Sequence, residues 1–591
     1  MGTILFRPIT AHGQTNVVTW HNDNGRTGAN LQETILNTTN VNPVKFGKVF
    51  SYPVDGVLYA QPLYVSGVTI GSATHNVVYI ATENDSIYAF DADSAALNPN
   101  PLWQDKFANP PNVIPIPCLD NDSYCTIYPV VGITGTPVIN VSNQTLYAIV
   151  RTKEIGSTGK ATYAVRLHAL NIATGAEQPN SPVTICAAAS NQGCILPPYN
   201  NVNQEFIAQH QMQRPALILT PFSGTSQGVL YVSFGQDRGW VLAYDAATLA
   251  LLAVYCDEPN MAFNGKGRGG FWGSGGAVSA DSLGNLYLST ADGQFDADTD
   301  GGDYGDTVIK LTMTYNSTTS SYQFAVTDYF SPLDQSCRYA DAVDLGSGTP
   351  MVLPTQPGAN PDLLLMAGKG YPCDAAGSPI FLINRDNLGQ SSGATVQTLS
   401  GPLAGYWGSG AYWQSSNATY VYYSGVASTN NPPAGDNLRS YTLTNGVFAA
   451  SGQMSAKKML VGTTPTISAN GTSNGIVWAI ARQDVFSEKP GKKPAILYAF
   501  DATNVSHQLY SSTFNATRDT AGAAVKFTVP TIANGKVYVG TQTEVDVYGL
   551  CPCPEAAQKN VAAKAPPAKT PAAKKAKIHA AKGNPDCPAE P

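Results

Sequence analysis

The sequence predicts an all-β fold, an eight-bladed β-propeller closed by a strand from near the N-terminus. Three observations carry that expectation. A strand–turn–strand phrase recurs eight times, most recurrences follow a short strand that opens on proline, and the last unit is one strand short.

The phrase is clearest in Val77–Asp93, VVYIATENDSIYAFDAD, where two runs rich in Val, Ile and Tyr flank the polar turn at Asn84, Asp85 and Ser86. It returns from Leu146, Val229, Asn285, Leu363, Ala418, Ile476 and Lys536. The openings are QPLYV at Gln61, TPVIN at Thr136, RPALIL at Arg214, TPMVL at Thr349, TPTIS at Thr464 and VPTIA at Val529. Proline at the first position of a strand costs no ladder hydrogen bond. Closing strands are visible as LWQDKF at Leu102 and LLAVYC at Leu251. The eighth unit ends after three strands at Leu550, and FGKVFSYP, Phe46–Pro53, is the candidate fourth. An open solenoid would leave two sheet edges bare, which ring closure avoids.

Residues 1–19 read as a leader remnant or a disordered N-terminus, 20–550 as the propeller, and 551–591 as a flexible tail. Across the join of the first two, residues 15–45 read as a polar opening segment with a turn at Asn22–Gly25. The tail is a Lys/Ala/Pro tract too poor in large apolar side chains to bury a core, and is expected to be dispensable for folding. From Glu555 onward it carries +4, so the rest of the chain, at −11, lacks the basic face that nucleic acid requires. No run of eighteen apolar residues is present, so no transmembrane helix is expected.

Ten cysteines suggest an oxidising compartment, and with it a secreted, periplasmic or extracellular protein. Cys118 with Cys125, and Cys186 with Cys194, flank short loops inside long inter-blade connections and are expected to be disulfides. Sequons stand at Asn37, Asn316, Asn417 and Asn515. The seven histidines include no pair at metal-ligand spacing, and no nucleophile elbow, phosphate loop or haem-attachment motif occurs. Asp296, Asp298 and Asp300 followed by Gly301 resemble the front half of a calcium loop, with Thr307 where an EF-hand carries its glutamate. An acidic surface turn would look the same.

The repeat and several segments together resemble the pyrroloquinoline quinone (PQQ) dehydrogenase-like superfamily of eight-bladed propellers, over about residues 45–550. GGFWGSGG resembles the segment that delivers the tryptophan stacked under the quinone, which implies that role for Trp272. LYLSTADG resembles a T-G-N-G turn whose Asn binds calcium; Asp292 stands there. MAGKG resembles the segment with a basic residue on the quinone, implying Lys369. ADAVDLGSGTP lies where the catalytic Asp is carried, so Asp341 or Asp344 is implied as the base. FGQDRGW lies where a calcium-binding Glu is carried, and Gln236 and Asp237 stand there. The resemblance thus implies calcium and PQQ as candidate cofactors. The family's adjacent cysteine pair is absent, and the segment around Asp341 reads with one extra residue. Two readings follow: a binding or scaffold propeller with a degenerate pocket and a protein or polymer partner at its loops, expected to be monomeric, or a calcium- and PQQ-dependent dehydrogenase.

Overall fold

The computed structural model describes residues 16–551 apart from 95, 97–98, 200–204, 261–267, 426–434, 461 and 484–490. Of residues 1–19, expected to be a leader remnant or disordered, 1–15 lie outside the described residues, as does the tail beyond Cys551, whereas Val17 and Val18 are ordered and bonded to strands of the first two sheets.

Each recurrence of the phrase becomes the second and third strands of an antiparallel sheet. In the first sheet, Ala73–Thr82 pairs with Ser86–Asp91 across a turn in which Asp85 has a φ of 55°. Aspartate tolerates that left-handed conformation better than a branched residue would. Leu63–Ile70 precedes the pair and Trp103–Lys106 follows it. The same order repeats in sheets beginning at Val138, Ile218, Val278, Met351, Ala411, Thr466 and Thr531. Among the described residues there are eight sheets of four or more strands, and one small two-stranded pairing of Cys194–Ile195 with Glu205–Phe206.

Middle strands such as Val229–Phe234 and Leu363–Ala367 are buried along their whole length, whereas outer strands such as Trp103–Lys106 alternate with solvent. Burial on both faces explains the nearly continuous apolar runs in the repeated phrase. The second faces are covered by neighbouring sheets. Leu63, Tyr79 and Ile87 of the first sheet pack with Leu146 and Ala148 of the second. Further clusters link each sheet to the next, and Tyr538, Val545 and Val547 of the eighth pack with Val78 and Phe90 of the first. Phe46–Pro53 is the fourth strand of that eighth sheet, paired antiparallel with Glu544–Leu550.

A hydroxyl bond repeats between neighbours. Tyr79, Tyr147 and Tyr422, each in the second strand of its sheet, donate to the carbonyls of Ile172, Ala246 and Ala502, just past the third strand of the next.

The opening segment, read from the sequence only as a polar stretch with a turn, touches the first strand of all eight sheets. Val17 pairs with Tyr64, Ile139 N donates to Val18 O, Ala280 N to Asn24 O, Val352 N to Gly25 O, Tyr412 N to Thr27 O and Ile467 N to Gly28 O. The Asn24 side chain donates to Leu219 O and that of Asn30 to Ile532 O, while Ala29–Asn30 runs parallel to Thr466–Asn470. At its centre Arg26 is fully buried, its guanidinium donating to Val278 O (2.9 Å), Trp20 O (2.8 Å) and Thr19 Oγ1 (2.9 Å). Gly28, at φ 72°, could not be replaced, because a Cβ there would lie 2.3 Å from His21 Nε2. The segment is polar because its groups satisfy strand-end carbonyls and amides, not because it meets water.

The two expected disulfides, Cys118–Cys125 and Cys186–Cys194, are formed, and a third joins Cys337 to Cys373 across 36 residues. Sequence spacing gave no sign of the third, since its partners approach only through the fold. The longest helix among the described residues is Gln335–Asp341, and no helix is long and apolar enough to cross a membrane.

Candidate functional site

Turns after the second strands of the third, fourth and fifth sheets meet segments entering first strands around a cavity of about 400 Å³. The turns supply Gln236, Asp292 and Lys369; the entering segments supply Arg214, Trp272, Asp344, Trp407 and Phe527. Trp20 of the opening segment packs with Ala216 and Val529, next to the segments bearing Arg214 and Phe527, and so supports this region from within.

The backbone around Trp272 is set by close approach. A Cβ on Gly270 would lie 2.6 Å from Gln236 N, so only glycine lets this segment press against the third sheet. Trp272 is half-buried, with Arg214 Cζ at 4.9 Å and Lys369 Nζ at 5.6 Å from its ring centroid. Arg214 also lies 5.0 Å from the ring of Phe527, which meets Trp407 edge-on at 6.5 Å. Cations over aromatic faces hold one another in place while leaving hydrogen-bond donors at the edge.

The carboxylates form a chain along one wall. Lys369 is ion-paired with Asp344, and Asp292 N approaches Asp344 Oδ1 at 3.4 Å. Asp292 Oδ2 lies 3.2 Å from Arg268 Nη1. Burial first, and the neighbouring Asp344 charge second, push the Asp292 carboxyl up to about 8 against the pull of Arg268 and Lys369. Behind them Asp306 is buried and accepts from Leu345 N at 2.8 Å, fixing the turn that carries Asp344; burial holds its carboxyl well above the usual range.

The structure therefore brings together Trp272, Lys369, Asp292, Asp344 and Gln236. It does not bring Asp341 there. That residue ends the helix Gln335–Asp341, exposed, 3.6 Å from Cys337 Sγ, because the helix turns away before the chain dips to Asp344. Asp237 points to His210 Nδ1 at 3.7 Å. Asp296, Asp298 and Asp300 lie on a separate surface loop, where Asp296 accepts from Asp303 N and Asn260 Nδ2 and Asp300 turns left-handed at φ 61°. The six residues expected to bind metal are thus scattered over at least three places.

Sequence reasoning missed Arg214, Arg268, Trp407, Lys526 and Phe527. Two signals were there to find. Tyr406–Gly410, YWGSG, nearly copies the FWGSG of Phe271–Gly275, so both tryptophans come from the same local device. Arg214 is the one charged residue standing before the strand-opening prolines quoted above.

The residues do not fit a calcium ion. Calcium takes six to eight oxygens, many from carboxylates. Here one carboxylate is paired with a guanidinium and the other with an ammonium, and Gln236 adds an amide. Among the described residues, the one trio of potential ligand atoms within 4.8 Å of one another is Cys337, Asp341 and Cys373, whose sulfurs are bonded to each other. A planar anionic aromatic molecule does fit, since four basic side chains (Arg214, Arg268, Lys369 and Lys526) and four aromatic rings (Tyr124, Trp272, Trp407 and Phe527) face two carboxylates in a cavity of ligand size.

Sheets of this kind around such a cavity define a propeller-like all-β protein with a cationic, aromatic pocket. No protein-family model and no curated protein matches the sequence. Among solved structures the chain is similar to a europium-containing methanol dehydrogenase at 12% identity, covering 91% of this chain and 98% of that one with a TM-score of 0.50. It is also similar to the quinohemoprotein alcohol dehydrogenase of Comamonas testosteroni, at 15% identity over 95% of this chain and 83% of that one, TM-score 0.49. BamB from Moraxella catarrhalis follows at 13% identity over 85% and 99%, TM-score 0.41. The likeness to the methanol dehydrogenase is one of fold.

Proposed function

We propose that the eight sheets are the blades of one closed propeller, secreted and held by its disulfides, whose axial cavity binds a planar, anionic aromatic molecule of the PQQ type. The pairing of Phe46–Pro53 with the last sheet and the contact of the eighth sheet with the first support closure. Three disulfides suit an oxidising compartment. The observation that carries the binding reading is the convergence of Arg214 and Lys369 on Trp272 at the wall of the cavity. The rings offer stacking surface, and the guanidinium and ammonium groups offer charge-assisted bonds to carboxylates or ring carbonyls.

Titrating purified protein with PQQ while following tryptophan fluorescence tests this. Saturable quenching is expected, with affinity weakened about tenfold or more in Trp272→Ala. An unquenched, unsaturable titration of the wild type would remove the reading.

A second reading, oxidation of an alcohol or sugar with a separate electron acceptor, is favoured by one feature. Asp344 is a buried carboxylate at the cavity wall, held by Lys369 and placed to accept a substrate hydroxyl proton. Loops at the cavity mouth are also where a protein or polymer partner would bind under the scaffold reading. Dye reduction by PQQ-loaded protein on addition of alcohols, lost in Asp344→Asn, separates the two.

A further inference from the structure

The calcium expected at Asp292 meets an arginine there instead. We infer that Arg268 is the built-in cation of this cavity, taking an oxygen of a carbonyl- or carboxylate-bearing ligand, so that binding needs no divalent metal. This rests on the reading of the cavity as a site for a quinone carboxylate.

Arg268 is fixed from three sides. Its Nη1 lies 3.2 Å from Asp292 Oδ2, its Nη2 donates to Tyr339 O at 3.0 Å, and its Cζ sits 5.1 Å from the centre of the Tyr339 ring. The following residue bolts the backbone down. Gly269 N donates to Glu258 Oε2 at 2.9 Å, and Ala291 N donates to Gly269 O at 2.9 Å. That last bond ties the strand of chain bearing Arg268 to the turn bearing Asp292, so the two side chains keep one spacing. The guanidinium nonetheless stays reachable: its side chain is 44% exposed and lines the cavity.

The wall reads in order Arg268, Asp292, Asp344, Lys369: two cations outside, two acids between them. A metal entering this row would have to displace a guanidinium held at three points, and would find Asp344 already engaged by Lys369. The arginine is a better match to an oxygen ligand than to an empty metal site. Its planar fork of donors suits a carboxylate or a pair of adjacent carbonyl oxygens.

The test uses the whole protein and two instruments. In the first, PQQ is titrated by tryptophan quenching in EGTA and again in excess calcium, with wild type, Arg268→Gln and Arg268→Lys. Affinity is expected to agree within about twofold between EGTA and calcium, to fall about tenfold or more in Arg268→Gln under both conditions, and to recover in part in Arg268→Lys. Loss of binding in EGTA, rescue of Arg268→Gln by calcium, or wild-type affinity in Arg268→Gln would each overturn the inference. In the second, terbium is added without quinone and its emission is excited through tryptophan. No emission that depends on Trp272 is expected; stoichiometric emission abolished by Trp272→Phe or Asp292→Asn would make this a metal site and overturn the inference. Failure of the quinone reading is distinguishable, since it would show as absent PQQ binding with or without calcium while terbium stays silent.

Discussion

Individual carboxyl groups set how this protein responds to pH. Burial raises Glu83 and Asp546 to about 7, Asp292 to about 8, and Asp105 and Asp303 to about 6. In the unfolded chain the same groups titrate at about 4. Between those limits the folded state binds protons that the unfolded state releases, so their contribution is full below about pH 4 and is lost as pH rises through 6 to 8. Two opposing sets act on the acid side. Burial lowers His21, whose contribution is lost as pH falls below the ordinary histidine value. The ion-paired Glu154, Glu177 and Glu544 are lowered, and theirs is lost below about 4.5. With these five carboxyls, and Asp85, Asp257, Glu258 and Asp306 raised in the same direction by burial, set against one histidine, the melting temperature is expected to peak at about pH 5 and to fall steadily toward pH 8. A thermal series by circular dichroism across that span checks it, and a melting temperature that climbs between 6 and 8 would contradict the assignment.

At the scale of elements, the recurring tyrosine does more than fill space. Tyr147 donates to Ala246 O at 2.6 Å, linking the second sheet to the third where neither strand can reach the other's ladder. Tyr147→Phe keeps the ring and leaves a buried carbonyl without its donor. About 1–2 kcal/mol of stability is expected to go, read as a lower urea midpoint at unchanged slope; an unchanged midpoint would mean water replaces the hydroxyl. The tyrosines were visible in the repeated phrase, as were the strands, the prolines and the closing strand, because each follows from a local period or a single residue's geometry. The site was only half legible. Trp272, Asp292 and Lys369 sit in turns whose wording could be matched, whereas Arg268, Lys526 and the Cys337–Cys373 link act only once distant turns share a rim.

The whole molecule is organised by the segment that the sequence disguised best. Residues 17–33 read only as a polar opening stretch, yet their polarity is spent on strand ends inside the protein. Arg26 concentrates that dependence, reaching Val278 O, Trp20 O and Thr19 Oγ1 with a guanidinium that burial lowers to about 9. Arg26→Met removes the donors while keeping much of the bulk. Several buried acceptors then lose their partners together, so a loss of about 3 kcal/mol or more is expected, in one cooperative transition, by denaturant unfolding. Wild-type stability in that variant would show the segment to be a passenger.

The same segment implies an order of events in time. Asn30 must find Ile532, 502 residues further along the chain, and its neighbours must find strands from every sheet between. On a ribosome these residues, made before the sheets they join, would therefore be among the last to settle. Contacts so distant in sequence are slow to form, and until they do the unfinished sheets stand with open rims. Rapid growth of the chain cannot hurry this step, so the protein's exposure to aggregation is concentrated in the interval after the eighth sheet is made and before this segment is locked in place.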